Sequence, residues 1–118
     1  MEFDNNRPIY LQIGDVLCDQ ILSGVLAPGE RIPSVREYGA QVGVNPNTVM
    51  RTYERLTSDG IIFNKRGIGY FISPDAPQRV LENEREKFYA EELPAFRKRM
   101  KLLGIAESAI FSDTSCEK

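Results

Sequence analysis

The chain has 118 residues, 42% of them hydrophobic and 27% charged, with a net charge of −2; this is enough for one modest core and a small appendage. It has no histidine, and its two cysteines, Cys18 and Cys116, lack paired spacing, which removes His-based acid–base chemistry and suggests neither a disulfide framework nor a zinc site. No apolar run approaches the roughly 20 residues of a membrane span, and the opening MEFDNNRP lacks the basic-then-apolar order of a signal peptide, so a cytoplasmic protein with no membrane partner is expected.

The average charge hides a polarity. Residues 1–30 hold one arginine against five acids, whereas residues 31–66 hold six basic groups (Arg31, Arg36, Arg51, Arg55, Lys65, Arg66) against three acids (Glu37, Glu54, Asp59). A phosphate backbone feels charge within a Debye length of roughly 8 Å, so the second block is the one suited to a polyanion.

In chain order, residues 8–23 predict a first helix with an apolar face of Ile9, Ile13, Val16, Leu17 and Ile21. Leu11, Cys18 and Leu22 form a second stripe, either part-exposed or an interface. Gly24 ends the helix and Ala27–Pro28–Gly29–Glu30 is a turn. Ser34 with Glu37 three residues later is a capping box for a second helix over Val35–Val42. Gly43–Val44–Asn45 is a tight connection to the next helix, which lies within Gly43–Gly60. Asn45 is its N-cap, Pro46 its first residue and Gly60 its left-handed close. At 3.6 residues per turn, Val49, Thr52, Tyr53 and Leu56 form a packing side, and Asn47, Arg51, Glu54, Arg55 and Ser58 the opposite one. Two short helices about a Gly-bearing turn make a helix-turn-helix.

Two β-rich runs, Ile61–Phe63 and Ile68–Ile72, flank Asn64–Lys65–Arg66–Gly67 and predict a hairpin with a basic tip, that is, a wing. Gly67 and Gly69 do not make a nucleotide-binding loop, because no helix follows them. Ser73–Pro77 reads as a linker. From about Gln78 a long helix begins in which Leu81, Phe88, Ala95 and Leu102 recur every seven residues, flanked by Tyr89, Phe96 and Leu103. Pro94 is expected to kink or split it near Ala90–Glu92. A last short helix over Ile105–Phe111 is expected to turn Ile105, Ile110 and Phe111 inward.

No catalytic constellation emerges; paired carboxylates such as Glu91–Glu92 lie on a charged helical face, and no cofactor or metal is expected. The outward face of the helix-turn-helix is the better candidate. Arg51 has the geometry to donate two hydrogen bonds to guanine O6 and N7, and Asn47, four residues earlier, to pair with adenine N6 and N7. Thr48 and Asn45 stand where side chains and free N–H groups of a helix N-terminus hold a phosphate; for Asn45 a pure capping role is the equal alternative. Arg36 in the first turn of the second helix, and Lys65 and Arg66 at the wing, are suited to the DNA backbone, against the plainer reading of solvated surface charges. The densest basic run, Arg97–Lys101, wraps a helix that also carries Phe96, Met100 and Leu103, and reads as a solvated face near an interface.

Pro28–Gly29–Glu30–Arg31–Ile32–Pro33–Ser34–Val35–Arg36–Glu37 resembles the PGxxLPSxRxLA signature of the GntR family of bacterial transcription regulators. Val44–Val49, Tyr53, Leu56, Gly60–Ile61 and Arg66–Phe71 continue the pattern in order, over about residues 8–72. The Asn-Pro-Asn-Thr-Val form with a short helical tail is similar to the YtrA-like subfamily. The resemblance implies a mainly α fold with a small β-hairpin: a winged helix-turn-helix DNA-binding domain over residues 1–75 and C-terminal dimerisation helices over 76–112; the end over 113–118 is expected to be disordered from its place at the terminus. The resemblance also implies a homodimer on double-stranded DNA at a palindromic operator; a repressor is the expected role, because blocking a promoter needs no activation surface. Its DNA contacts would come from Ser34, Arg36, Asn45, Asn47, Thr48 and Arg51, with Arg66 and Gly67 in the wing. Two positions depart from the pattern: Met50 stands where many relatives carry arginine, and Tyr38–Gly39 replaces Leu-Ala, which costs the second helix roughly 1 kcal/mol.

The tail is too short for the effector domain of larger family members, and its apolar stripe, from Leu81 and Phe88 to Phe96, Met100 and Leu103, needs something to cover it. Dimerisation through those residues is therefore expected. Two-fold symmetry would set the recognition helices about one duplex turn apart, roughly 34 Å. The competing classes are a winged-helix protein–protein module, for which an apolar wing would be expected, and an RNA-binding winged helix, for which exposed aromatics would be expected on 46–58.

Overall fold

Pro8 and Gly24 bracket the first helix, α1 (Ile9–Leu22), in a computed structural model that describes residues 2–111. Ile13, Leu17 and Ile21 are buried as their spacing predicts, and so is Cys18, which the sequence had placed on a far stripe with Leu11 and Leu22. The core wraps further round α1 than one amphipathic stripe, since the adjacent Leu17 and Cys18 are both buried in the same cluster. A two-residue strand that the sequence did not announce, β1 (Arg31–Ile32), precedes α2 (Val35–Val42). Both halves of the capping box form: the Glu37 N–H donates to Ser34 Oγ at 3.1 Å, and the Ser34 N–H donates to Glu37 Oε1 at 2.9 Å.

Gly43, at φ 73°, lets α2 end in the left-handed conformation that a side chain resists. The following carbonyl, that of Val44, then turns back over Gly39, where a Cβ would meet it at 2.6 Å. The missing methyl at Gly39 thus allows a closer turn than alanine would, which offsets its low helix propensity. Next come α3 (Pro46–Ser58), β2 (Ile62–Lys65) and β3 (Gly69–Ile72), in a three-stranded antiparallel sheet of order β1-β3-β2. Phe63 pairs with Phe71, Lys65 with Gly69 and Arg31 with Phe71, which sets those side chains on the sheet's outer face. Ile62, Ile72, Ile32 and Tyr70 take the inner one.

The packing side of α3 is as expected: Val49, Thr52, Tyr53 and Leu56 are all buried. Tyr53 is the keystone of this core. Its hydroxyl donates to the Pro33 carbonyl at 2.7 Å, and its ring meets Tyr70 edge-on at 4.9 Å. Burial, aided by the neighbouring Tyr38 and Tyr70, pushes its phenol well above the ordinary tyrosine range, so it stays a neutral donor.

The first compact unit runs through Glu82, inside α4 (Ala76–Lys87), because Ala76 and Val80 are buried in the same core. Arg79 pairs with Asp75 at 2.8 Å and lies against Gly60. The second unit starts at Asn83 and contains a π-helical turn, Phe88–Glu92, then α5 (Leu93–Leu102) and α6 (Glu107–Phe111). Pro94 explains the π turn. It has no N–H for the Ala90 carbonyl and its ring crowds that oxygen, so the chain takes a wider turn in which the Leu93 N–H reaches Phe88. Ile105, Ile110 and Phe111 were expected to face inward but are exposed; a five-residue α6 is too short to form a continuous packed face. No helix among the described residues is long and apolar enough to cross a membrane. The expected disorder of 113–118 lies outside the described residues.

Candidate nucleic-acid interface

The outward face of α3 is set by its N-terminal cap. Asn45 Oδ1 accepts the Asn47 N–H at 2.8 Å, so the carboxamide oxygen of Asn45 is engaged in capping. Its NH2 group is the part left for an outside acceptor. Asn47, Arg51, Glu54, Arg55 and Ser58 are exposed along one side, and Thr48 is half-buried at its margin. Met50, at 39% exposure, shares this solvent side and offers an apolar contact where an arginine would offer charge.

Arg51 is not a loose cation. Its guanidinium carbon sits 4.1 Å from the centre of the Tyr10 ring, on α1. The same residue holds α3 by its backbone: Thr52 Oγ1 donates to the Tyr10 carbonyl at 2.7 Å. Tyr10 therefore grips α3 twice, once through its carbonyl and once through its ring. A guanidinium resting on an aromatic face is favoured by roughly 0.5–1 kcal/mol at an exposed site and loses rotamer freedom before any ligand arrives. Sequence reasoning missed Tyr10, because its partner lies far along the chain and no local pattern links the two.

In α2, Arg36 is exposed in the first turn. Ser34 Oγ accepts the Glu37 N–H, which leaves its O–H as a donor. Hydrogen bonds from Ser34, with the nearby positive charge of Arg31, hold the Glu37 carboxyl below its usual range, so it remains an anion at neutral pH.

The wing turns at Arg66–Gly67. The Ile68 N–H donates back to the Lys65 carbonyl at 2.8 Å, and Gly67 takes φ 80°, the pattern of a type II turn that asks for glycine at this place. Lys65 and Arg66 are exposed, and the Lys65 ammonium lies 5.0 Å from the centre of the Phe71 ring. Ile68, 56% exposed, adds an apolar group beside the two cations.

Among the residues named for dimerisation, Leu81, Phe88, Phe96 and Leu103 are exposed, whereas Met100 is only 4% exposed. Met100 lies beside Pro94 and Ile105 and is already covered within the chain. The basic run loses some of its charge locally, since Arg97 pairs with Glu107 at 3.2 Å.

Comparison with known proteins agrees with this arrangement. Residues 9–72 match the family described as bacterial regulatory proteins, gntR family. The transcriptional repressor YtrA of Bacillus subtilis (strain 168) is 39% identical over 80 residues, which are 68% of this chain and 62% of that protein. The chain thus spans somewhat under two thirds of that relative. The crystal structure of a GntR-family transcriptional regulator from Bacteroides thetaiotaomicron is 45% identical, covers 88% of this chain and 90% of its own, and superposes with a TM-score of 0.73. The structure of the AraR DNA-binding domain in complex with operator ORR3 is 26% identical, with a TM-score of 0.55 over 62% of this chain and 88% of that one. A capped helix-turn-helix, a basic wing and a family match that runs from α1 to the end of β3 lead to one assignment: the chain belongs to the GntR family of bacterial transcription regulators.

Proposed function

We propose that the chain is a sequence-specific repressor that binds a palindromic operator as a homodimer, with α3 as its reading helix. The observation that carries this is the outward face of α3, where Arg51 is braced on Tyr10 four residues after Asn47, with no side chain of the packing face among them. Bidentate donors at that spacing suit adjacent base edges in a major groove. Thr48 and the Asn45 amide suit the phosphate beside the helix N-terminus. Arg36 and the Ser34 hydroxyl suit the backbone on the side of α2, and Lys65, Arg66 and Gly67 suit the backbone or minor groove at the wing. Operator binding by the AraR domain and repression by the related YtrA support the same reading.

Dimerisation is assigned to the tail, as a function separate from DNA reading. The π turn supports it. Phe88 and Phe96 are eight residues apart, one more than a heptad, and Leu103 follows after seven. The extra residue accommodated in Phe88–Glu92 takes up that difference in phase, so Phe88, Phe96 and Leu103 fall on one exposed line. Leu81 stands one heptad before Phe88. Such a line matches the seam of a paired helix, and leaving it in water is unfavourable.

Selection of binding sites from random duplex DNA with the full-length protein tests the proposal. The expected product is an inverted repeat whose half-sites lie about one helical turn apart, roughly 34 Å. Recovery of no common sequence, or of a single unrepeated half-site, contradicts it.

A further inference from the structure

On the outer face of the sheet two cations flank β3. Arg31, at the start of β1, extends its side chain along β3 towards the wing, where a Cβ on Gly69 would meet Arg31 Nε at 2.9 Å. Gly69 adopts φ 143°, a conformation that side chains rarely take, so glycine is required there by both backbone and space. Directly across the strand pair from Gly69 stands Lys65, whose ammonium is held over the Phe71 ring. Phe63 stacks on Phe71 with ring centres 5.8 Å apart, which widens the aromatic surface under Lys65. Neither Arg31 nor Lys65 makes an ion pair among the described residues. Glu37 partly offsets Arg31 from α2, and an anion bridging Arg31 and Lys65 removes the repulsion that remains between the two like charges.

We propose that Arg31 and Lys65 together hold one phosphodiester group of the bound duplex at the base of the wing, beside Gly69. The inference rests on the DNA-binding reading above and adds a residue, Arg31, and a subsite to it. Arg31 supplies a planar donor fork for two phosphate oxygens and Lys65 a point charge from the opposite strand, while Gly69 lets the Arg31 side chain lie close along the sheet. Because the contact is to phosphate, it positions the protein and does not discriminate between sequences.

The test is binding of full-length protein to operator and to unrelated duplex by fluorescence anisotropy over a salt series, with folding checked by circular dichroism. Arg31→Ala is expected to weaken both duplexes by the same factor and to flatten the log K against log salt slope by about 0.9, the value for one phosphate. Lys65→Ala is expected to do the same. The double variant should flatten the slope by about one phosphate in total, since both side chains serve one group, and Arg31→Lys should restore most of it. An unchanged slope in folded Arg31→Ala, or a loss of two phosphates in the double variant, overturns the shared subsite. Wild-type protein that shows no salt-dependent duplex binding at all defeats the DNA reading itself, a different failure. Titration of inorganic phosphate separates the two sources of the anion: no saturable binding is expected, and binding abolished by Arg31→Ala would show a site for a free phosphate in place of the backbone.

Discussion

At the residue scale, Arg51 and Tyr10 act as a unit. An exposed arginine loses entropy when it binds a base edge; stacked on a ring, part of that loss has already occurred. Tyr10→Leu should therefore lower discrimination between operator and single-base variants by roughly 0.5–1 kcal/mol, while Tyr10→Phe keeps it, as read by competition gel shift. Equal discrimination in both variants would show the stack to be incidental. Glu37 gives a pH-dependent prediction. Its folded pKa lies below the ordinary carboxylate value, so its contribution to stability is complete above the unfolded value and disappears as pH falls through the folded one. The difference in melting temperature between wild type and Glu37→Gln should accordingly shrink as pH drops from 7 to below about 4. A difference that stays constant would remove the carboxylate from the cap. The two residues also differ in legibility. Ser34 and Glu37 are three apart and could be read directly, whereas the Tyr10–Arg51 stack needs the chain to be folded before it exists.

At the element scale, α2 and α3 were legible because caps and periodicity are local properties. Ser34, Gly43, Asn45 and Pro46 each act within one turn, and the helices they bound form as expected. The strand β1 was not legible, since two residues make no period and their strand character comes wholly from pairing with Tyr70 and Phe71. Cys18 was misplaced for a similar reason: how much of α1 is covered depends on neighbours, not on α1. Pro94 was read as a kink, and its physical form is a π turn with a change of phase. Pro94→Ala restores the missing N–H and removes the cause of the π turn; with eight residues of ordinary α-helix between them, Phe96 and Leu103 then turn about 80° away from Phe88. The full-length Pro94→Ala variant should sediment as a monomer at concentrations where wild type sediments as a dimer, with the fold of residues 2–82 retained. A variant that stays dimeric would place the seam elsewhere.

At the scale of the whole molecule, reading is assigned to the first unit and pairing to the tail. Sequence placed the boundary at Ser73–Pro77 on the strength of two prolines; Ala76 and Val80, buried with the core, carry the first unit on to Glu82. A fragment ending at Glu82 should thus remain folded and bind one half-site weakly as a monomer in sedimentation and anisotropy, whereas one cut at Asp75 loses two core side chains and should melt lower. A dimeric 1–82 fragment would take pairing away from the tail. The central claim is that the outward face of α3 reads sequence through Arg51, and it is tested most directly by the ratio of operator to non-operator affinity in wild type and Arg51→Ala at one fixed salt concentration. The account predicts that the ratio falls by the equivalent of about 1–3 kcal/mol, with non-operator binding far less affected; an unchanged ratio in the folded variant would contradict it.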